Sequence, residues 1–232
     1  EAKDVRIFTK PNAEPIEVAQ LDARAHLLPL LTGGKGATAD LPIAGGQVHV
    51  DFVQSGETTE VDAQVDDLEL ALVPGLKDSI GLPLSSTMKL DVDVEFNAKE
   101  VKKSKGPIKL EGTGLEILKG GKISGFPVPE LEIGSLNWNI PIKDGKAKFD
   151  KQTITGDNVE VIVDGELLLN KKYDRSTLNL VLSFKPTPAF LKKEPLLGAL
   201  LNNIKRAKGK DGFYNYAVAG SIKHPRFTPK RK

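Results

Sequence analysis

Strict alternation of apolar and polar residues is the feature that most constrains how this chain can fold. In residues 87–97 charged residues stand between apolar positions, which are Met88, Leu90, Val92, Val94 and Phe96. Successive side chains of a β-strand point to opposite faces, so this segment predicts a strand with one dry face and one wet face. The same period occurs in residues 47–53, 136–142, 158–163 and 177–184. The pattern therefore predicts antiparallel strands that are each packed on one side.

Residues 57–72 contain a slip in this alternation. The apolar residues are odd-numbered up to Val65 and even-numbered from Leu68, with Asp66 and Asp67 between them. One extra residue in a strand, a β-bulge, returns the later side chains to the original face and bends the sheet. We therefore predict a bulge at the two aspartates.

Three glycine-containing pairs mark hairpin turns. They are Asp144-Gly145, Gly45-Gly46 and Asp211-Gly212, and Asp144-Gly145 stands most clearly between two segments with strand character. Glycine adopts the positive φ that tight hairpin turns require, so each pair predicts a direct connection between neighbouring strands.

Helical signals are few. Leu197, Leu200, Leu201 and Ile204 recur at helical spacing, and Pro195 suits the first helical position. This stripe predicts one short amphipathic helix near the C-terminus. Apolar stretches at residues 27–31 and 72–80 predict one or two further helical turns.

The predicted fold class follows from the shortage of helices. Many one-sided strands must hide their dry faces, and one short helix is too small to cover them. We predict an all-β fold, a curved and mostly antiparallel meander sheet that forms a half-barrel or folds over on itself. The helix at Leu197, Leu200, Leu201 and Ile204 is then predicted to be a lid on its open end. Residues 1–232 are expected to form a single domain.

The sequence offers no recognisable catalytic or metal-binding motif. The chain has no cysteine, which excludes disulfides and thiolate ligands, and its three histidines lack the spacing of metal ligands. Gly120-Gly121-Lys122 matches the end of a phosphate-binding loop, but the first glycine and the final hydroxyl residue of that motif are missing. We expect a protein that is not an enzyme and that needs no cofactor or metal.

Positive charge is concentrated toward the C-terminus, although the net charge of the chain is only +2. The candidate contact residues there are Arg226, Lys230, Arg231 and Lys232. Such a group favours anionic lipid headgroups or an acidic partner. Because the rest of the chain is acidic and repels phosphate, we expect no nucleic-acid partner. Lysines 99, 102, 103 and 105 form a second group, interpreted as a solvated hairpin end.

The order of several short motifs resembles the GspN family of the type II secretion system, in the form with a long periplasmic part. The motifs are Ala44-Gly45-Gly46-Gln47-Val48 within residues 33–52, Leu68-Glu69-Leu70, Pro74-Gly75-Leu76, Gly81-Leu82-Pro83-Leu84, and the closing residues 213–227. The likeness runs over nearly the whole chain.

This resemblance implies a bacterial inner-membrane protein with one membrane-spanning helix and a periplasmic domain. Residues 1–232 are then expected to be the periplasmic β domain without its anchor helix, located in the periplasm and tethered to the inner membrane in the full-length protein. The implied function is that of a non-enzymatic structural or assembly component of the type II protein secretion system. Its implied partners are other envelope proteins of that system.

The last strand supports an alternative function. Ala219-Gly220-Ser221-Ile222 followed by His224-Pro225-Arg226-Phe227 is similar to the ending of AsmA-type periplasmic proteins. This likeness implies a lipid-binding or lipid-transfer module in which the curved sheet leaves an apolar groove. The predicted lining of that groove is Met88, Leu90, Val92, Val94, Phe96, Leu178, Leu180 and Leu182.

Overall fold

A computed structural model describes residues 2–7, 16–31, 33–77, 81–123 and 126–230. The strands are β1 (Ala2–Ile7), β2 (Ile16–Ala25), β3 (Lys35–Ile43), β4 (Gly46–Ser55), β5 (Thr58–Glu69), β6 (Leu84–Asn97), β7 (Gly106–Ile117), β8 (Lys122–Ile123), β9 (Phe126–Pro127), β10 (Leu131–Lys143), β11 (Lys146–Thr155), β12 (Val159–Leu168), β13 (Thr177–Pro186), β14 (Tyr214–Ser221) and β15 (His224–Pro229). The helices are α1 (Leu27–Leu31), α2 (Pro188–Lys193) and α3 (Pro195–Asn203), with 3-10 turns at Leu70–Leu72, Val101–Lys103, Tyr173–Arg175 and Lys205–Ala207.

The predicted fold class is confirmed. Thirteen strands form one antiparallel sheet in chain order, interrupted only where the small β8–β9 hairpin leaves the sheet between β7 and β10. Strands β1 and β15 lie at its two edges, so the sheet is open and not a closed barrel. A meander of this kind places every second turn on the same edge of the sheet.

The predicted bulge lies where the alternation slips. Val65 pairs with Leu90 and Leu68 pairs with Met88, so β5 has two residues, Asp66 and Asp67, where β6 has one, and Asp67 has a φ of 54°. Both apolar side chains therefore stay on one face of the sheet, as the sequence pattern requires.

The turn at Asp144-Gly145 is also confirmed, with φ values of 53° and 70° at the two residues. The second predicted turn is wrong by one residue, because Ala44 and Gly45 form it with φ values of 50° and 80°. The third is not a hairpin between two strands, because Asp211-Gly212 lies between the 3-10 turn Lys205–Ala207 and β14. Gly46 already belongs to β4, where a Cβ atom would collide with the backbone of Asp66. Close packing of two backbones, and not turn geometry, thus explains the second glycine.

The C-terminal region contains the predicted helix and two elements that were not predicted. Helix α3 has Pro195 in its first turn, as expected. Helix α2 precedes it and is capped by Thr187, whose Oγ1 accepts a hydrogen bond from the Phe190 amide at 3.3 Å. Strand β15, which contains the candidate basic residue Arg226, pairs with β14 through Phe227 and Val218. Its two prolines are tolerated because it is an edge strand.

Candidate apolar binding face

One face of the sheet is apolar across adjacent strands. Val50, Ala63, Val92, Ile108 and Ile140 are paired in a row from β4 to β10. A second row, which crosses β11 to β14, consists of Ile154, Val161, Phe184 and Tyr214. The period-two pattern of each strand is therefore in phase with that of its neighbours, and we call the resulting surface the apolar face.

Burial differs sharply between the middle and the flanks of the apolar face. The floor, formed by β7, β10 and β11, contains side chains with at most 9% exposure, which are Leu115, Ile117, Leu136, Ile140, Ile142, Ala147 and Ile154. On β3 to β6, by contrast, no apolar side chain of the described residues is buried. We call the flanks, β4 to β6 and β12 to β14, the walls; their apolar side chains are mostly half-buried, and the buried exceptions include Val159, Tyr214 and Val218.

The floor is covered by side chains of its own sheet. Leu136, for example, lies in a cluster with residues of β6, β7, β10, β11 and β12 and with Leu70. On a flat uncovered sheet these positions would face water, so their burial indicates that the apolar face is concave. Gly112 lies on this floor, where a Cβ atom would come within 2.8 Å of Met88 Sδ. The missing side chain at Gly112 thus lets Met88 and Leu136 pack over this position.

The accessible surface agrees with an open, single-layer sheet. It amounts to 14752 Å², whereas a compact monomer of 25.1 kDa is expected to expose about 10,300 Å². The chain therefore exposes more surface than a compact monomer of its mass would.

The two halves of the predicted groove lie on the same face but are not adjacent. Residues Met88 to Phe96 of the prediction belong to β6, and Leu178, Leu180 and Leu182 belong to β13. All eight side chains are half-buried. Four strands separate the two groups, which corresponds to about 24 Å along the sheet. The structure thus places them on opposite walls of the concave face, with the buried floor between them.

The predicted lid residues pack at one end of the β13–β14 wall. Leu201 is 5% exposed and forms a cluster with Tyr214, against which Leu197 and Ile204 also pack. The side chain of Leu200 lies outside the described residues. The stacked rings of Phe184 and Tyr214, with centroids 5.4 Å apart, form the surface under the helix. Burial in this cluster raises the pKa of Tyr214.

The opposite face of β3 to β6 is polar and acidic. Asp51, Asp62 and Asp93 stand directly opposite one another on three neighbouring strands, beside an open depression of about 520 Å³. On the same face His49 Nδ1 lies 2.5 Å from Asp40 Oδ1, and this hydrogen bond raises the pKa of His49. Among the described residues no group of three or more acidic or histidine side chains is arranged to hold a metal ion. This face is therefore the solvated side of the sheet.

The predicted basic contact residues are only partly described. Arg226 and Lys230 are exposed at the β15 edge, and Arg231 and Lys232 lie outside the described residues. The edge strand also exposes Phe227, with 59% of its surface accessible.

Comparison with protein-family models, with curated proteins and with solved structures finds no match to this chain. Within the described ranges no helix is long and apolar enough to cross a bilayer.

Proposed function

We propose that the concave apolar face binds the alkyl chains of lipids, so that the protein is a non-enzymatic lipid-binding or lipid-transfer module. The observation that carries this proposal is the half-exposed state of every apolar side chain on the β4–β6 wall. Proteins rarely leave a continuous apolar surface of this kind in water unless it binds something. A concave shape suits a flexible chain that lies along it.

The expected affinity follows from the area that an alkyl chain covers. Each methylene removed from water contributes about 0.8 kcal/mol, so roughly ten methylenes on the wall contribute up to ~8 kcal/mol. A binding free energy of this size corresponds to a dissociation constant of about 1 μM. Because the walls are already half-covered by neighbouring side chains, the gain is smaller than this limit, and we expect dissociation constants at or above about 1 μM.

Titration with a fluorescent fatty acid tests the proposal, with two neighbouring residues of β6 as a matched pair. Val92 lies on the apolar face, and Asp93 lies on the polar face. Val92→Asp places a charge where the alkyl chain would lie and is expected to abolish binding, whereas Asp93→Ser is expected to bind as the wild type does. Val92→Thr, which keeps the shape of the side chain, covers the case in which Val92→Asp fails to fold.

Equal binding by wild type and Val92→Thr, or no saturable binding by the wild type, would contradict alkyl-chain binding. Size-exclusion chromatography tests the main competing explanation, which is that the wall binds a second copy of the chain. If the wall is instead a dimer contact, the wild type elutes as a dimer, Val92→Thr elutes later because its dimer is weaker, and neither binds the fatty acid.

A second proposal keeps the assembly role in the type II secretion system that the GspN resemblance implies. The exposed edge strand β15 favours a protein contact, since all six of its side chains are exposed. Pro225 and Pro229 lack amide donors, so a partner would contact side chains such as Phe227 more than extend the sheet. A photocrosslinker at position 227 in cells tests this role. Capture of secretion-system inner-membrane proteins at position 227, and not by a crosslinker at the similarly exposed Leu72, supports this role. Absence of such capture contradicts it.

A further inference from the structure

Four turns lie side by side on one edge of the sheet. They are residues 98–105, 143–146, 169–176 and 222–223, and each connects two antiparallel neighbours. Backbone hydrogen bonds join them in sequence: Gly145 donates to Ser104 at 3.3 Å, Leu169 to Gly145 at 2.9 Å, and Ile222 to Ser176 at 3.0 Å. These turns therefore form one continuous surface, which we call the basic rim.

Two of the turns are built in the same way. In each turn an asparagine at or just after the end of the first strand accepts a hydrogen bond from a backbone amide of the turn. The Glu100 amide donates to Asn97 Oδ1 at 2.7 Å, and the Lys172 amide donates to Asn170 Oδ1 at 3.1 Å. A 3-10 turn follows, and then a serine that is 1% exposed, Ser104 or Ser176. The Oγ of each serine accepts a hydrogen bond from the backbone amide of that asparagine. These hydrogen bonds brace the backbone of each turn, and the lysines between the asparagine and the serine are exposed.

The basic rim carries ten Lys and Arg residues and three Asp and Glu residues. Three of the cations have ion-pair partners, in the pairs Lys103–Glu100, Lys105–Glu95 and Lys146–Glu166. For the other seven, no carboxylate of the described residues lies within 4.0 Å, and all seven are exposed. The acidic residues nearest to this edge on β5 are Glu57, whose carbonyl accepts the Ala98 amide, and Glu60, two residues or roughly 7 Å from the start of the strand, and they oppose part of the charge of the 98–105 turn. The other three turns begin at least three strands from β5, or roughly 14 Å, which exceeds the screening length of about 8 Å at physiological salt, so the rim keeps a net positive charge there.

Exposed apolar side chains are found at the same edge. Among the described residues six large apolar side chains are exposed, and Tyr173, Ile222, Leu27 and Leu30 belong to turns at this edge. Tyr173 is 82% exposed on the 3-10 turn between Lys172 and Arg175. Tyrosine and aliphatic residues among lysines are typical of surfaces that lie at the boundary of headgroups and acyl chains.

We propose that the basic rim docks on the surface of an anionic phospholipid bilayer, with the lysines near the headgroup phosphates and Tyr173 and Ile222 inserted between them. An acidic protein would explain the cations but not the exposed tyrosine and isoleucine beside them. This surface is separate from the apolar face, and the proposal does not depend on alkyl-chain binding by that face.

Co-flotation with vesicles tests the proposal. We expect the wild type to float with vesicles of phosphatidylglycerol and phosphatidylcholine mixed at roughly 1:2, and not with phosphatidylcholine alone, since each cation near an anionic surface strengthens binding about fivefold. The rim variant Lys102→Ser/Lys171→Ser/Lys172→Ser/Arg175→Ser is therefore expected to bind at least a hundredfold more weakly.

The chain offers a control with the same change in charge at the opposite edge of the sheet. Lys192→Ser/Lys193→Ser/Lys205→Ser/Arg206→Ser removes four exposed cations from the segment around α2 and α3, and we expect it to keep wild-type vesicle binding within about threefold. The neutral variant Tyr173→Ser/Ile222→Ser is expected to bind about tenfold more weakly at unchanged net charge. Thermal unfolding shows whether each variant is folded.

Three results would overturn the proposal: no flotation of the wild type with anionic vesicles, equal losses in the two quadruple variants, or full binding by Tyr173→Ser/Ile222→Ser. The last result would identify a general polyanion site. Failure here is distinguishable from failure of the proposed function, because fatty-acid titration contains no vesicles and the rim variant is expected to bind the fatty acid normally.

Discussion

Two leucines on the apolar face should differ in their contribution to stability although their sequence settings are alike. Leu136 belongs to the floor and is 8% exposed, whereas Leu90 belongs to the β6 wall and is half-buried. Leu136→Ala removes buried methyl groups and leaves an enclosed cavity, so it should lower the free energy of unfolding by about 3–4 kcal/mol. Leu90→Ala removes groups that already contact water and opens onto solvent, so it should cost about 1–2 kcal/mol.

Urea unfolding of the two variants measures this difference. The midpoint should fall about twice as far for Leu136→Ala as for Leu90→Ala, with unchanged slopes. A saturating alkyl ligand should stabilise the wild type more than Leu90→Ala, because it covers that wall. Equal losses in the two variants without ligand would mean that the wall is buried as deeply as the floor, and the argument from a half-exposed face would be wrong.

Three further predictions concern the polar face and the backbone. Asp62→Thr should stabilise the protein by about 0.5 kcal/mol in urea unfolding, because it removes a carboxylate that faces like charges on both neighbouring strands; a loss of stability would contradict this. Asp40→Asn should lower the pKa of His49 in an NMR titration, and because the pKa of His49 is raised in the folded state, the wild type should lose stability relative to this variant as the pH rises from about 6.5 through that pKa. Stability profiles of the wild type and Asp40→Asn that run parallel with pH would contradict a stabilising contact between His49 and Asp40. Gly134→Ala should cost more than about 2 kcal/mol, since the new Cβ would collide with a backbone carbonyl, whereas Gly56→Ala, also at positive φ but with open space around it, should cost about 1 kcal/mol; equal costs would show that packing at Gly134 is loose.

The sheet could be predicted from sequence because each strand carries its own periodic pattern. The slip at Asp66 and Asp67 was readable since the apolar phase before and after it is unambiguous. Helix α2 and strand β15 were missed because their signals are weak: α2 has six residues, and β15 contains two prolines. The division into floor and walls was not readable, because Leu90 and Leu136 stand in equivalent alternating patterns and differ only through the curvature of strands far apart in sequence.

The basic rim was missed for a related reason. Lys102, Lys172 and Lys223 stand in separate loops, each of which looks like an ordinary solvated turn. A meander places alternate turns on the same edge, so assigning the predicted turns to two edges would have grouped these lysines together. The exposure of Tyr173 could not be foreseen, since it depends on the 3-10 turn that directs this ring outward.

Native mass spectrometry of the protein purified from cells without detergent tests alkyl-chain binding most directly. We expect adducts with the masses of phospholipids or fatty acids on the wild type and their loss in Val92→Asp or Val92→Thr. A wild-type spectrum that contains only the unliganded chain, together with no gain of stability on adding lipid, would contradict the central claim that the concave apolar face binds lipid.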